Sequence, residues 1–292
     1  MSTGTAYAHG PSAFGGGLRR FVELTVILAR TDFKLRFFGS VLGYLWSLMR
    51  PLMFFGVLYV VFSNVFKLGK GIPHYPVYLL ASIVMWSYFI EVTTNCVPSL
   101  VGRESMLRKV RFPRMVIPLS ISLAAVFNLG MNFLAVFAFA LANGVDPQLS
   151  WLELIPLIAV WIVLASGVGM LLSALYVRYR DVQPIWDVLS QILFYGSPII
   201  YIVAYFNRLH LQHVAMLSPI AALNAQMGHA LIGNVPLSGA AAASYGPYAF
   251  PNAAYAAGSS LQLLVPLAIV AAVFALGYWV FTREAPVVAE YL

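Results

Sequence analysis

Several uninterrupted apolar runs, each about 20 residues or longer, restrict this chain more than anything else in it. At about 1.5 Å of rise per residue, a helix of that length crosses a hydrocarbon core roughly 30 Å thick. Candidate spans fall at 41–66, 76–97, 115–142, 151–176, 185–206 and 260–281. All six read as helices. An open sheet edge would leave backbone amides unsatisfied in lipid, and the runs lack the alternation of barrel strands. Only 9% of the residues are charged and 61% are apolar, where a soluble domain carries about a quarter charged. Six spans and short loops consume nearly all 292 residues, so no soluble catalytic domain fits. The expected fold is all-α, a polytopic integral membrane protein with six transmembrane helices.

Cytoplasmic loops are enriched in Lys and Arg, and the basic residues here divide sharply. Arg19, Arg20, Arg30, Lys34 and Arg36 precede the first span, and Arg103, Arg108, Lys109, Arg111 and Arg114 follow the second. Arg178 and Arg180 follow the fourth, and Arg283 follows the sixth. All lie on one side, while the opposite loops hold Lys67, Lys70 and Arg208. Both termini are therefore expected in the cytoplasm. The net charge of +7 follows from this topology, and no exposed aromatic-basic groove supports nucleic-acid binding.

Residues 1–17 are Gly/Ser/Ala-rich and read as a disordered tail. In 18–38, Arg19, Glu23, Arg30 and Lys34 form one stripe at helical spacing, with Phe21, Leu24, Leu28, Phe33 and Leu35 largely on the other side. That stretch is too short to cross, and reads as an amphipathic helix lying in the cytoplasmic interface. The transmembrane domain then runs over 39–284, with a cytoplasmic loop at 98–114, an outer segment at 207–259, and a cytoplasmic tail at 285–292.

The chain carries no energy-converting motif. None of Lys34, Lys67, Lys70 and Lys109 sits in the G-x-x-x-x-G-K-[ST] spacing that cradles phosphates, and neither G-x-S-x-G nor H-E-x-x-H occurs. Asp181 and Asp187, six apart, fall on different sides of a helix and make no metal-diphosphate pair. Cys96 is the single cysteine, so there is no internal disulfide and no Cys/His metal site is expected. Any driving force must come from an ion gradient or from another chain. An ion-coupled carrier keeps ionisable groups near the midplane. Only Arg50 and Glu91 qualify, at depths of roughly 14 and 9 Å from the cytoplasmic side. They either pair with each other or snorkel to hydrated ends.

Residues 103–112 can form two to three helical turns before Pro113 ends them, with Met106, Leu107 and Val110 on one side and cations around the rest. Such a helix suits docking into a groove of a partner; the alternative is a solvated basic loop. Ala165, Gly169 and Ser173 repeat small residues every four positions, permitting close approach of a helix of the same subunit or a second copy. Pro198 predicts a break near the outer end of span five, a gate candidate. After Pro219, the apolar stretch to Ile232 reads as a re-entrant or surface-lying helix, and 235–260 as an irregular outer lobe. Trp46, Trp86, Tyr88, Tyr201 and Tyr205 belong either to interfacial belts or to an internal passage, where their rings suit sugar stacking.

The order of several motifs resembles the membrane subunit of type-2 ABC exporters for polysaccharides, the O-antigen, capsule and teichoic-acid permeases. They are Leu28-Ala29-Arg30-Thr31-Asp32-Phe33-Lys34-Leu35-Arg36, then Leu42-Gly43-Tyr44-Leu45-Trp46 with Pro51, and Arg111-Phe112-Pro113-Arg114 with Pro118. Arg178-Tyr179-Arg180-Asp181, Ser197-Pro198-Ile199-Ile200-Tyr201 and Leu217-Ser218-Pro219 complete the set. The resemblance implies a passive permease in a bacterial inner membrane, two copies forming a channel with two ATPase subunits that hold the ATP and Mg. It implies that Arg103, Met106, Leu107, Arg108, Lys109, Arg111, Phe112 and Pro113 couple to those subunits, and that 18–38 is a gate helix. The substrate would be a polyprenyl-diphosphate-linked glycan, met by Arg30, Lys34 and Arg36. The outer lobe is longer than the loop expected of such permeases. The same architecture exporting a drug or lipid, an ion-coupled carrier, and a membrane transferase are the competing readings.

Overall fold

The computed structural model describes residues 17–37, 43–69, 71–103, 113–209 and 211–284. The helices are α1 (Leu18–Phe37), α2 (Gly43–Tyr59, extended by a wide turn at Val60–Val65), α3 (Tyr75–Cys96), α4 (Ser99–Gly102) and α5 (Val116–Ala142). They continue with α6 (Leu154–Arg178), α7 (Val182–Gly196), α8 (Gln212–Ala215), α9 (Pro219–Ile232), α10 (Gly239–Tyr245), α11 (Ala253–Ala257) and α12 (Leu264–Glu284). Among the described residues there is no strand beyond one bridge between Pro236 and Tyr248. The tail at 1–16, the segment 104–112 and the tail at 285–292 lie outside the described residues.

Among the described residues, five stretches are long and apolar enough to cross a membrane: Leu45–Ser63, Tyr75–Cys96, Val116–Ala142, Leu149–Arg178 and Ser260–Glu284. The sixth expected helix, 185–206, is not continuous. Its helical part is α7, 15 residues long, about 22 Å and short of a hydrocarbon core. The chain bends through Ser197–Ile202 and then makes a short 3-10 turn at Val203–Leu209. Pro198 has no amide to continue the ladder, which is why the helix stops where proline was expected to stop it.

The core gathers around α3. Val77, Leu79, Leu80, Ala81, Ile83 and Val92 are fully buried, and burial runs around its whole circumference. A helix apolar on every side is stable only when neighbours cover every side. Here α2, α5, α6, α7 and α9 do so. Between these helices hydroxyls supply the directional contacts. Tyr88 Oη lies 2.9 Å from Ser122 Oγ, which also accepts from Ser166 Oγ at 2.9 Å, joining α3, α5 and α6. Ser99 Oγ lies 3.0 Å from Ser173 Oγ at the other end of the same seam.

Small residues set two close crossings. A β-carbon on Gly169 would stand 2.9 Å from Cys96 Sγ, so the Ala165, Gly169, Ser173 ladder meets α3 and α4 of the same chain. A second crossing had no signal in spacing: a β-carbon on Gly277 of α12 would fall 2.1 Å from the Gly167 carbonyl oxygen of α6.

α1 lies along α5. Ala29 and Thr25 are buried, Phe33 meets Phe127 edge-on at 5.6 Å between ring centroids, and Arg19, Glu23, Arg30 and Lys34 are exposed. The polar and apolar sides are those of the sequence stripe, except that Leu35 is exposed.

α9 is buried along nearly its full length, from Ile220 to Ile232. Ser150 Oγ and Trp151 Nε1 donate to the Ala230 and Leu231 carbonyls at 2.8 and 3.0 Å and secure its end. The following lobe holds no Asp, Glu, Lys, Arg or His between Gly233 and Ser260. Backbone bonds fold it, Leu237 N to Pro247 O at 2.8 Å and Ala249 N to Val235 O at 2.9 Å. Asn252 caps α11 through Tyr255 N at 2.7 Å.

Candidate transport site

The end of the bundle that carries α4 and the start of α5 is organised by a small apolar cluster of Leu100, Met115, Ile117, Met170, Ala174 and Phe281, against which Phe21 of α1 packs. Beside it Arg103, at the end of α4, donates through Nη2 to Asp32 Oδ2 of α1 at 2.6 Å. Of the expected coupling set, Arg103 and Pro113 are described, and Pro113 is buried. Met106, Leu107, Arg108, Lys109, Arg111 and Phe112 lie outside the described residues. Arg114 follows with Nη1 enclosed and without a hydrogen-bond partner among the described residues, and burial pulls its guanidinium below the ordinary arginine range. Arg178 reaches Glu284 at 3.9 Å and Arg180 stacks 4.9 Å over Tyr176, so these cations engage their own chain.

Arg30 and Lys34, four apart on α1, share one exposed side. The backbone of Arg36 belongs to α1, but its side chain lies outside the described residues. Two cations one turn apart on an open face can meet a diphosphate as paired charges.

The suggested pairing of Arg50 with Glu91 is absent among the described contacts. Arg50 is exposed on α2, whereas Glu91 Oε2 accepts from Asn128 Nδ2 of α5 at 2.8 Å. Asn132 Nδ2 in turn donates to the Asn128 carbonyl at 2.9 Å. Glu91 therefore faces α5, a pairing between helices that spacing along one helix does not reveal.

The aromatic candidates divide. Trp46 is exposed on α2, and so are Met49, Met53, Phe54 and Val57. Trp86 and Tyr88 are buried within the subunit: Trp86 packs with Phe89 and Phe194 at 5.3 and 5.6 Å, and Tyr88 is held by Ser122. Both side chains face the interior of this chain. Tyr201 and Tyr205 are half-buried. Tyr201 Oη donates to Tyr195 O at 3.3 Å, and Tyr205 Oη accepts from Gly69 N at 3.1 Å.

The break after α7 is secured from the side. Tyr78 Oη donates to the Pro198 carbonyl at 2.6 Å, Asn224 Nδ2 donates to the same oxygen at 3.4 Å, and Tyr75 Oη donates to the Ile200 carbonyl. In hydrocarbon a freed carbonyl costs several kcal/mol unless it is met, so these three side chains make the interruption tolerable. Sequence reading placed the break but missed its supports. Tyr75, Tyr78 and Asn224 carry no motif or spacing that marks them as donors to carbonyls, and Asp32 enters the sequence reading only as one member of the Leu28–Arg36 motif.

The geometry is that of a helical membrane body with α1 clasped at one end, the buried α9 at the other, and no catalytic constellation among the described residues. The family model of ABC-2 type transporters matches residues 23–227, and the chain belongs to that family. Two O-antigen export system permease proteins RfbA from Klebsiella pneumoniae are each 34% identical over 184 residues, 61% of this chain and 69% of theirs. A protein of the same name from Myxococcus xanthus is 26% identical over 186 residues, 63% of this chain and 70% of its own.

Proposed function

We propose that this chain is the membrane subunit of an ATP-driven exporter that carries a polysaccharide of the O-antigen class across the bacterial inner membrane. The observation that carries the reading is its likeness to the O-antigen permeases over 61% of its length, within the ABC-2 family. Separate ATPase subunits hold ATP and Mg and burn the fuel. The chain is a passive permease, present in two copies beside two such subunits.

In this reading α7 and the bent segment after it cross the bilayer together as a sixth, interrupted span, leaving both termini in the cytoplasm. The basic residues before α2, after α3, at the end of α6 and in the last turn of α12 support that orientation. The channel lies between copies. The face of α2 bearing Trp46, Met49 and Met53, with Ile185, Val188 and Ile192 of α7 beside it, is exposed and is the surface the second copy covers. α1 serves as a gate helix at the cytoplasmic interface, where Arg30 and Lys34, with Arg36, meet the diphosphate of a polyprenyl-linked glycan. ATP-driven closure of the partner dimer moves the loop at 104–112 and α1 as levers.

Co-purification with depletion tests this. A neighbouring ATPase should travel with the chain, and depleting both should leave lipid-linked glycan on the cytoplasmic side. Accumulation of a drug or an ordinary phospholipid instead would reassign the cargo. Uphill transport by the chain alone in vesicles, without nucleotide, would overturn the reading.

A further inference from the structure

α6 and α12 run in the same direction: they cross at Gly167 and Gly277, and their last residues, Arg178 and Glu284, meet at 3.9 Å. Toward their starts α9 packs against both, and the three helices enclose a groove of about 220 Å³. Leu157, Val160, Leu223 and Val270 line it, Ala222 is buried in its wall, and Leu267 is exposed at its lip. Two features keep polar groups out of the groove. Pro156, Pro219 and Pro266 stand in the first turns of α6, α9 and α12, where an ordinary residue would present a free amide and proline has none. Gln226, the polar member of the lining, has its amide engaged at both ends: Oε1 accepts from Ala253 N at 2.8 Å, and Nε2 donates to Glu153 Oε2 at 2.6 Å.

Water therefore finds no partner along this groove. Its lining falls in the first half of the membrane-crossing stretches Leu149–Arg178 and Ser260–Glu284, at the depth of a single leaflet, where the filling medium is hydrocarbon. Glu153 stands at the head of α6, about 5 Å of helix rise above Pro156 and about 10 Å above Val160. Its side chain is exposed, and no Lys or Arg among the described residues pairs with it. An unneutralised carboxylate at that height repels an anionic headgroup and suits an ammonium.

We propose that this groove holds an acyl chain of one zwitterionic phospholipid, with the headgroup ammonium at Glu153. The lipid braces the start of α9 against α6 and α12. It is not the cargo, and the inference needs only that α6 and α12 cross the bilayer.

The test uses the full chain, purified with any ATPase partner that accompanies it and stripped of lipid in detergent. It is then titrated with phosphatidylethanolamine and phosphatidylglycerol of identical acyl chains, and retained lipid is counted by native mass spectrometry. One molecule per chain should be held tightly, with the ethanolamine lipid preferred about threefold, the size expected of an exposed ion pair. In Glu153→Gln, which keeps a partner for Gln226, the preference should vanish. Ala222→Phe, which sets a ring into the groove, should lose the tightly held molecule. Should A222F yield no monodisperse protein, E153Q decides alone. Failure of the wild type to hold lipid, equal retention of the two lipids, an unchanged preference in E153Q, or full retention in a folded A222F each overturns the proposal. So does displacement by polyprenyl phosphate at equal concentration, which would give the groove to a cargo anchor.

Discussion

Gly277 of α12 crosses Gly167 of α6 so closely that a β-carbon on Gly277 would lie 2.1 Å from the Gly167 carbonyl oxygen. The neighbour is backbone, which cannot swing aside, and the two helices must separate to admit a methyl group. G277A is expected to lose about 2 kcal/mol or more, read as a lower Tm and poorer recovery of monodisperse protein in detergent. G56A on α2, where a β-carbon meets nothing within 4 Å, should be neutral or slightly stabilising. Equal behaviour of the two variants would refute the crossing.

Removing the Tyr78 hydroxyl leaves the Pro198 carbonyl with only the longer Asn224 bond. Y78F should cost about 1 kcal/mol, and Y75F/Y78F more than the sum of the parts if the bend loosens as a unit. Hydrogen exchange over 197–209 reads this out, with faster exchange there and little change in α5. Uniform acceleration throughout the chain would point to general destabilisation instead.

Ser122 is shared by Tyr88 and Ser166, so S122A strands two buried hydroxyls from different helices. Its cost should be about 1–3 kcal/mol, larger than for S166A, which removes one partner and leaves the Tyr88 contact in place. Denaturation midpoints of the two variants decide the order.

Exposed cations can be reversed without disturbing the core. R30E/K34E should leave Tm within a degree or two and reduce capture of a diphosphate-linked glycan about tenfold or more in a binding assay. Full capture would remove these residues from headgroup recognition.

A cysteine at Trp46 lies on the exposed face of α2, whereas Trp86 is buried beside Phe89 and Phe194. W46C should form a cross-linked pair of chains in membranes under mild oxidation, and W86C should not. Absence of a W46C cross-link would place the second copy elsewhere.

Much of the architecture was legible in the sequence because hydrocarbon imposes a length and a polarity that hydropathy reports directly. Five of the six expected spans, those beginning near 41, 76, 115, 151 and 260, sit within a few residues of observed helices. Pro198 announced its own break. What escaped notice depends on register between helices. Glu91 accepts from Asn128, and Trp86 and Tyr88 are buried, because α3 is covered on every side. An interfacial tyrosine and a carbonyl-capturing tyrosine look alike in a string of letters. Gly167 and Gly277, separated by more than a hundred positions, bear no common spacing that would pair them.

The lobe between Gly233 and Ser260 is folded by backbone bonds and carries no ionisable group apart from its tyrosines. If that side meets the cell exterior, its surroundings drift in salinity and acidity with the weather of the medium. A lobe without carboxylates, imidazoles or ammonium groups of its own has little charge for brine to screen, and acid reaches it only through the neighbouring rings of His213 and His229, which meet the Ala257 and Phe250 carbonyls.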